Sequence, residues 1–380
     1  MPTAGSLPDR HDRRGPSAPT APTVASTGAP TAPSSVAIVM PAHRPGDDLR
    51  ASLAALAGCV PAPDEFVVVV DGGDTAVLDD VRTAVTGPVA DRVTTVSIPA
   101  SGPATARNVG VASTTADLVL FVDSDVVVRP DLVDAVRSAL RDPDVHAIIG
   151  SYDDRPGTDT TVSQFRNLLH HWTHQRSAGP GHTFWGACGA IRRHAFESVD
   201  GFDETYRDAT IEDIELGERL TRAGFHIEVV PTIQVTHLKR WTLTGMVHTD
   251  VTKRGIPWTR LMLADRSMGD DLNTTRAARV TVALAGVASA LALSLAFRPG
   301  QRPRAVATVA AAVALTWRDR AVLGFLRRRR STSFALRCVP LLWIHHVSAG
   351  VAFAWALATW PLVRRRRRPA ARTPPTPLAD

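Results

Sequence analysis

From residue 36 onward, short segments of strand length alternate with segments of helical periodicity. The strand-like segments cover residues 36–41, 65–70, 92–98 and 117–122, and the helical ones cover residues 49–59, 75–85 and 105–113. Continuous apolar runs are typical of strands that are covered on both faces. The alternation therefore predicts an α/β fold with a mostly parallel central sheet and helices on both faces.

The pattern becomes mixed after residue 146. Strands are predicted at residues 147–152, 186–191, 226–231 and 233–237, and helices at residues 162–175 and 212–223. A mixed half that follows a regular parallel half is suited to form the walls of a substrate pocket.

Strongly apolar sequence begins at about residue 277. Residues 277–297 are long enough to span a bilayer of ~30 Å at ~1.5 Å per residue, residues 305–317 are marginal, and two histidines interrupt residues 339–363. Buried core helices are the alternative, but arginine clusters at the ends of these segments favour a membrane. A hairpin of the first two segments, with the third lying in the membrane, keeps both arginine clusters in the cytosol, and the number of crossings stays open.

Composition divides the chain into four parts. Residues 1–34 are rich in Pro, Ala, Thr and Ser and are predicted to be disordered. A folded domain is expected over residues 35–270, a hydrophobic membrane-associated region over 277–363, and a basic, proline-rich tail over 364–380.

Positive charge is concentrated near the C-terminus and is carried almost entirely by arginine. The formal net charge is +6, yet residues 298–380 contain 16 arginines against Asp319 and Asp380. Because these arginines are interleaved with apolar segments, they indicate a membrane surface with anionic lipids, and no nucleic-acid partner is expected.

Missing motifs argue against a P-loop nucleotide-binding protein and against a dinucleotide dehydrogenase. The two lysines, Lys239 and Lys253, do not lie in a Gly-Lys-[Ser/Thr] step, so no P-loop exists, and no G-x-G-x-x-G follows a strand. Cys59, Cys188 and Cys338 form no disulfide framework, and the N-terminus has no apolar signal segment. These features fit a reducing compartment.

The most informative motif is Asp123-Ser124-Asp125, which follows the apolar residues 118–122. Residues i and i+2 of a strand point to one side, so two carboxylates meet at the carboxyl end of a strand, where α/β sheets bind ligands. Carboxylate oxygens are ligands that Mg²⁺ and Mn²⁺ prefer. An ordinary turn with a helix start is the alternative.

Polar groups also follow the other predicted parallel strands. In chain order, the groups at the four strand ends are His43-Arg44, Asp71, Arg107-Asn108, and Asp123 with Asp125. Four such strand ends together predict a ligand crevice at one edge of the sheet.

Six motifs, in this order, resemble a family 2 glycosyltransferase with the GT-A fold, of the inverting, membrane-attached kind. Between about residues 36 and 240 they are Pro41-Ala-His-Arg44, Val70-Asp-Gly-Gly-Asp74, Ala106-Arg-Asn-Val-Gly110, Asp123-Ser-Asp125, Gly201-Phe-Asp-Glu204 and Ile211-Glu-Asp-Ile-Glu-Leu216. The resemblance implies the nucleotide-diphospho-sugar transferase fold, a nucleotide-diphosphate sugar as donor, and Mg²⁺ or Mn²⁺ as cofactor.

The resemblance also implies roles for the matching positions. The nucleotide-binding residues would be Pro41, Ala42, Asp71, Arg107 and Asp123. Asp125 would hold the metal, and Trp185 with the segment Gly186–Ala190 would border the acceptor.

The Glu212-Asp213 pair matches the family's catalytic acid pair, whose aspartate is the general base in inverting members. The acceptor hydroxyl must lose its proton as it attacks the anomeric carbon of the sugar, and a carboxylate can accept that proton. The alternative is that both acids only stabilise the first turn of a helix through its dipole.

Histidines offer further candidates. In this fold a histidine after the last core strand often completes the metal site, so His237 is a predicted ligand beside Asp125, with a structural role as the alternative. His237-Leu-Lys-Arg-Trp241 also resembles the Q-x-x-R-W element of processive polysaccharide synthases, although His in place of Gln puts processivity in doubt. Arg240 would contact the diphosphate and Trp241 would stack on a sugar.

A second histidine group lies on a predicted helix. His170 and His174 have a spacing that suits zinc, but no H-E-x-x-H pattern or cysteine partner accompanies them. An acceptor-facing or packed role is therefore favoured over a zinc site.

The sequence thus predicts an inverting glycosyltransferase at the cell membrane, with its catalytic domain on the cytoplasmic side and a lipid-linked or cell-envelope glycan as acceptor. One alternative is a sugar nucleotidyltransferase, which would need a Gly-rich phosphate loop where Pro41-Ala-His-Arg-Pro45 stands. Another is a non-catalytic, membrane-anchored nucleotide-binding scaffold, against which the intact set of acids argues. The donor sugar, the base and the acceptor stay open.

Overall fold

The computed structural model describes residues 34–265, 275–297 and 300–366. The predicted disorder of the N-terminus and most of the basic tail lie outside these ranges. The predicted boundary at residue 270 also falls on residues that are not described.

Nine strands in the described part of the chain form one sheet. They are β1 (Val36–Ala42), β2 (Glu65–Asp71), β3 (Val93–Ile98), β4 (Leu118–Val122), β5 (Val126–Val128), β6 (Ala147–Tyr152), β7 (Gly179–Gly181), β8 (Cys188–Arg192) and β9 (Ile227–His237). Their order in the sheet is β3-β2-β1-β4-β8-β6-β9-β5, and β7 pairs with β9.

Helices connect the strands and follow the sheet. Up to the last strand they are α1 (Asp47–Ala57), α2 (Thr75–Ala84), α3 (Pro103–Ala112), α4 (Leu132–Ala139), α5 (Thr161–Gln175), α6 (Arg193–Glu197) and α7 (Glu212–Arg222), with a 3₁₀ turn at Gly87–Arg92. After it come α8 (Leu243–His248), a π-helical segment (Thr249–Gly255), α9 (Ile256–Asp265), α10 (Arg276–Phe297), α11 (Arg302–Arg318), α12 (Arg320–Arg329) and α13 (Thr332–Arg366).

The two halves of the sheet differ in strand direction. Strands β3, β2, β1 and β4 are parallel, so the carboxyl ends of β1, β2 and β4 meet at one edge. Strand β8 runs antiparallel to both β4 and β6, while β6 and β9 are parallel to each other. The predicted regular parallel half and mixed second half are both observed.

The prediction of two strands at residues 226–231 and 233–237 is wrong, because β9 is one continuous strand. Pro231 lies inside it and has no N–H to donate to a neighbouring strand. The pairing with β6 shifts register between Ile149 and Ser151, and such irregularities are where sheets accommodate proline. The proline suggested a strand end that the sheet does not contain.

The core of the sheet is apolar on both faces. All residues of β4 are buried, and the ring of Phe121 contacts the rings of Phe184, Phe196 and Phe202. Helix α3 packs closely on β1, since a Cβ at Gly110 would lie 2.3 Å from a methyl carbon of Val39. This contact fixes the helix that carries Arg107 relative to the strand ends.

Helices after the sheet form a second apolar cluster with α5. It contains Phe165, Leu168, Trp241, Met246, Val322, Phe325, Leu326, Phe334, Ala335, Cys338, Leu341 and Leu342. In the described ranges, two helical stretches, Arg276–Leu295 and Thr332–Val363, have the length and composition to cross a membrane. Large apolar side chains remain exposed on both, for example Val287 and Trp355.

We expect Gly217→Ala to destabilise the protein by about 1–3 kcal/mol, the usual cost of overpacking a core. A Cβ at Gly217 of α7 would lie 2.3 Å from the backbone nitrogen of Phe184, so the helix would have to move. The free energy of unfolding, from denaturant titration of the purified chain, measures this.

The matched control is Gly324→Ala in α12, where the nearest atom is a side-chain nitrogen of Arg328 at 3.5 Å. This control should gain up to ~1 kcal/mol, because alanine favours a helix over glycine. Equal effects of the two substitutions would contradict the close packing of α7.

Candidate active site

The acidic turn between β4 and β5 forms one side of the site. Asp123 and Asp125 are both half-buried, and β5 then pairs antiparallel with β9, which puts Val126 opposite His237. The backbone N–H of Leu238 donates to the carbonyl of Asp125 at 2.9 Å. Sheet pairing therefore brings the predicted metal ligands Asp125 and His237 together across 112 positions of sequence.

A buried guanidinium joins the acidic turn to helix α7. Arg107 donates from Nη2 to Asp123 Oδ1 at 2.8 Å and from Nη1 to Glu212 Oε1 at 3.0 Å. Its Nε is also buried and has no partner in the described residues. Burial disfavours the charged form, but the carboxylates of Asp123 and Glu212 outweigh it and raise the pKa of Arg107.

Glu212 has both of its carboxylate oxygens occupied. Oε1 accepts from Arg107, and Oε2 accepts the backbone N–H of Thr210 at 2.8 Å. Its side chain is 5% exposed. These contacts fit a group that positions Arg107 and the start of α7.

Asp213 lies one residue further along α7 and is half-buried. The backbone N–H of Gly186 donates to its Oδ2 at 3.2 Å. Burial and, after it, the negative charge of Glu212 raise the pKa of Asp213 to about 6, while Arg107 acts in the opposite direction. A carboxylate with this pKa is matched to accept a proton near neutral pH.

Position 186 requires glycine because the side chain of Arg107 lies too close to leave room for a Cβ. A Cβ there would lie 2.9 Å from Cζ of Arg107. The same residue donates its N–H to Asp213, so Gly186 contacts both the ion-pair network and the predicted base. Its role at the border of an acceptor stays a prediction, and the structure brings it into contact with Asp213.

Asp125 and His237 suit a divalent cation. The Nδ1–H of His237 donates to Oδ1 of Asn167 at 2.7 Å, which leaves the lone pair of Nε2 directed at Asp125 Oδ2, 3.5 Å away. Two acceptor atoms that face each other fit a cation between them.

The protein offers two ligands there rather than a complete cage. Among the described ranges, no group of three or more His, Cys, Asp and Glu side chains is arranged around one metal position. Mg²⁺ usually takes one or two carboxylates and completes its coordination with water and substrate phosphate oxygens. The residues present therefore fit Mg²⁺ or Mn²⁺ held jointly with a diphosphate.

The predicted nucleotide side lies at the ends of β1 and β2. Asp71 accepts the backbone N–H of Ser101 at 2.7 Å and that of Gly102 at 3.0 Å, one on each carboxylate oxygen. Pro41 and Ala42 end β1, in register with Val69 and Val70 of β2. The Asp71 carboxylate thus orders the loop before α3 and keeps free lone pairs for a further donor.

Aromatic rings and histidines form the wall near Trp185. His170 is stacked on His174 at 4.0 Å and lies 4.8 Å from the Trp185 ring, while Tyr152 is stacked on His237 at 4.4 Å. His174 donates from Nδ1 to the carbonyl of Gly150. Burial lowers the pKa of His170 and His174, and both rings pack against Trp185.

Arg240 and Trp241 differ in exposure. Arg240 is exposed, whereas Trp241 is 8% exposed and belongs to the second apolar cluster. The Trp241 backbone N–H donates to Ser163 Oγ at 2.7 Å. Its ring therefore supports the packing of α5 and is not free to stack on a sugar.

Sequence reasoning missed Asn167, which fixes the His237 ring. It lies in no motif, and helix α5 brings it to the site only in the tertiary structure.

We expect Arg107→Met to destabilise the protein by about 3–5 kcal/mol, because it leaves Glu212 buried without a counter-charge. The double variant Arg107→Met/Glu212→Met should recover most of that loss. Unfolding free energies from denaturant titration provide the comparison.

An exposed pair serves as the control for Arg107. Arg82 and Asp79 are 74% and 71% exposed, so Arg82→Met should cost below about 1 kcal/mol. If Arg107→Met cost no more than this control, the central role given to the buried ion pair would be incorrect.

Comparisons with known proteins agree with the motifs. Residues 33–253, more than half of the chain, match the family described as "Glycosyltransferase like family 2". An N-acetylglucosaminyl-diphospho-decaprenol L-rhamnosyltransferase of Mycobacterium tuberculosis is 30% identical over 183 residues, covering 40% of this chain and 57% of the relative. A pre-mycofactocin glycosyltransferase of the same species is 30% identical over 152 residues, covering 38% of this chain and 32% of the relative.

A solved structure has the same fold. The mannosyltransferase PcManGT of Pyrobaculum calidifontis, determined with GDP-Man and Mn²⁺, superposes with a TM-score of 0.58 at 19% identity and covers 86% of this chain and 88% of its own. At this identity the similarity shows the fold alone, and the predicted GT-A fold class is confirmed. The match over residues 33–253 establishes that this chain is a glycosyltransferase of family 2.

Proposed function

We propose that the protein is an inverting glycosyltransferase that transfers a sugar from a nucleotide-diphosphate donor to a lipid-linked or cell-envelope glycan acceptor. One observation carries this proposal: Arg107 joins the acidic turn at Asp123 to the helix that bears Asp213. A group that binds the donor and a group that accepts a proton are thereby held in one rigid unit. Membership of the family disfavours the nucleotidyltransferase and scaffold alternatives.

Asp213 is the proposed general base. Its carboxylate accepts the proton of the acceptor hydroxyl as that oxygen forms a bond to the anomeric carbon. The bond between this carbon and the nucleotide diphosphate breaks in the same displacement, which inverts the configuration. The N–H of Gly186 holds the carboxylate in place, and Glu212 acts through Arg107 and through its effect on the pKa of Asp213.

Asp125 and His237 are the proposed ligands of Mg²⁺ or Mn²⁺. A bound divalent cation would neutralise charge on the leaving diphosphate. Asn167 holds the His237 ring in the tautomer that leaves Nε2 available, and Tyr152 stacks on that ring at 4.4 Å. Asp123 stays beside them, 34% exposed, and is assigned to the donor nucleotide.

The nucleotide is proposed to lie along the ends of β1 and β2. Pro41 and Ala42 would contact it through the backbone, and Asp71 would bind the base with the lone pairs that the loop leaves free. Both terminal nitrogens of Arg107 are engaged by carboxylates, so we assign it to positioning Asp123 rather than to direct contact with the diphosphate.

The acceptor is proposed to approach past Trp185 and Gly186, with the exposed Arg240 at the rim. Trp241 would act indirectly, by holding the segment that bears Arg240. A lipid-linked acceptor is supported by the rhamnosyltransferase relative, which is named for a diphospho-decaprenol substrate. The two apolar helical stretches Arg276–Leu295 and Thr332–Val363 support a location at the cell membrane. The arginine clusters near these stretches favour a catalytic domain on the cytoplasmic side.

We expect Asp213→Asn to lower sugar transfer by about 10²–10⁴-fold while donor binding is retained, because an amide cannot accept the proton. Transfer by the unaltered protein should fall as pH drops below about 6, the pKa of Asp213. Glu212→Gln should move this acidic limb to lower pH, since it removes a negative charge that raises that pKa. Rates measured across a pH series with a radiolabelled donor test all three expectations.

Asp79→Asn is the control, because Asp79 is an exposed acid paired with Arg82 outside the site. It should change neither the rate nor the pH profile. Transfer retained by Asp213→Asn at the normal rate would refute the assignment of the base.

We expect Asp125→Ala to weaken Mn²⁺-dependent binding of GDP and UDP by at least about tenfold, as measured by calorimetry. Asn167→Leu should weaken it by about 10–100-fold, because the outer hydrogen bond orients the histidine ligand. The exposed acid Asp48 supplies the control variant Asp48→Ala. Unchanged nucleotide affinity of Asp125→Ala in Mn²⁺ would disprove the metal assignment.

A further inference from the structure

The two halves of helix α5 are held by different parts of the protein. In the second half, Nδ1 of His171 and Nδ1 of His174 donate to backbone carbonyls of strand β6, at 2.7 Å and 2.8 Å. The first half is held by elements that follow the sheet, since Gln164 accepts from Nε of Arg330 at 2.7 Å and Arg166 binds the π-helical segment after α8. The position of the first half therefore depends on the helices after β9.

One buried carboxylate joins this first half to α13. Asp250 lies on the π-helical segment and is 7% exposed. Its Oδ1 forms an ion pair with Nη2 of Arg166 at 2.6 Å, and its Oδ2 accepts from Nδ1 of His345 on α13 at 2.9 Å. One oxygen thus binds a helix of the catalytic domain and the other binds a candidate membrane span. Asp250 therefore fixes α5 and α13 relative to each other.

Arg166 also contacts the segment that follows the proposed metal ligand His237. Its Cζ lies 5.5 Å from the centre of the Trp241 ring, four positions after that ligand. A guanidinium over an indole face at this distance is attracted to it. The backbone N–H of Trp241 in turn donates to Ser163 of α5 at 2.7 Å. Arg166 therefore holds together α5, the π-helical segment and the chain just beyond β9.

Asn167 is the next residue of α5 and bonds His237 directly. It is 2% exposed, and its Oδ1 accepts from Nδ1 of the imidazole at 2.7 Å. Its Nδ2 is buried and has no partner in the described part of the chain. Because no second hydrogen bond fixes this amide, its place is set by α5, and Arg166 is the anchor of α5 nearest to it. A shift of the first half of α5 would therefore reach the His237 ring.

We propose that Asp250 is a positioning residue of the metal site, which acts through Arg166 and Asn167 on His237. The carboxylate holds α5 where the Asn167 amide meets the imidazole, and His345 ties that carboxylate to α13. The proposal rests on the proposed function, because it concerns the metal ligand assigned there. Its consequence is that binding of a nucleotide with its metal depends on a contact made by a candidate membrane span.

Two adjacent histidines of α13 provide a matched comparison. His345 binds Asp250, whereas His346 binds Asp319, between α11 and α12, at 3.1 Å. Each substitution by leucine removes one contact between a histidine and a carboxylate that is largely shielded from solvent. Both should therefore lower the melting temperature. Since the contact of His345 leads to α5 and that of His346 leads to α12, only His345→Leu should act on the metal site.

The test uses the full-length protein in nanodiscs and calorimetric titration with GDP and UDP, each with and without Mn²⁺. We expect His345→Leu to weaken Mn²⁺-dependent nucleotide binding by about three- to tenfold, less than the ~10–100-fold typical of a residue that bonds the histidine ligand itself. Nucleotide binding without Mn²⁺ should not change. His345→Asn keeps an N–H donor near the position of Nδ1 and should restore most of the affinity, and His346→Leu should leave the Mn²⁺ dependence unaltered.

A second variant removes the carboxylate and keeps the charge balanced. Arg166→Met/Asp250→Met replaces a buried ion pair by apolar side chains, a change that proteins often tolerate without loss of stability. It also removes the contact with His345. We expect this double variant to fold and to weaken Mn²⁺-dependent nucleotide binding by about tenfold, because the His237 ring loses its fixed orientation.

Pulsed electron paramagnetic resonance separates positioning from a general loss of stability. Mn²⁺ bound with nucleotide to the unaltered protein should show a nitrogen hyperfine coupling from His237, which isotopic labelling of histidine assigns. The coupling should weaken in His345→Leu and persist in His346→Leu, although both substitutions lower the melting temperature. Equal Mn²⁺-dependent affinity and equal coupling in these two variants would overturn the proposal.

Failure of this proposal and failure of the proposed function are distinguishable. If the unaltered protein bound nucleotide no better with Mn²⁺ and showed no nitrogen coupling, the proposed metal site would be refuted, and the positioning role with it. Normal Mn²⁺ binding that both His345→Leu and Arg166→Met/Asp250→Met leave unchanged would reject the positioning role alone and leave the proposed function standing.

Discussion

The arrangement of the active site depends on one buried guanidinium. Arg107 is buried and loses its hydration, so its charge must be balanced by carboxylates. One is Asp123, after the end of β4, and the other is Glu212, at the start of α7. Asp123 and Glu212 are 89 positions apart in the sequence, and this contact sets the distance between the two halves of the site. Gly186 adds a constraint, because the guanidinium occupies the space where a Cβ would lie.

A second set of charged and polar contacts joins the catalytic domain to the helices that follow it. Asp250 joins α5 to α13, and the basic run of α12 is partly engaged by the protein itself. Arg329 binds Asp154 at 2.7 Å, and Arg330 donates to Gln164 at 2.7 Å. These contacts attach the helices that follow the sheet to the catalytic domain.

Most of the sheet and its site were predictable from the sequence because the signals were local. Apolar runs marked β1, β2 and β4, and the polar residues that follow them fell at the carboxyl edge, as parallel pairing requires. Strand β9 was divided wrongly because Pro231 ends strands in most contexts, and only the irregular pairing with β6 makes it acceptable here. Strands β5 and β7 have three residues each, too few for a periodic pattern.

The sequence by itself determined the family, the alternation of strands and helices, and which acids end the strands. Tertiary structure decided the hydrogen-bond partners and the pKa of each acid. Glu212 and Asp213 are adjacent in sequence, yet the first is saturated by Arg107 and Thr210 while burial brings the pKa of the second to about 6. The pKa of a carboxylate depends on burial and on charges brought near by folding, and the spacing of a motif predicts neither of them.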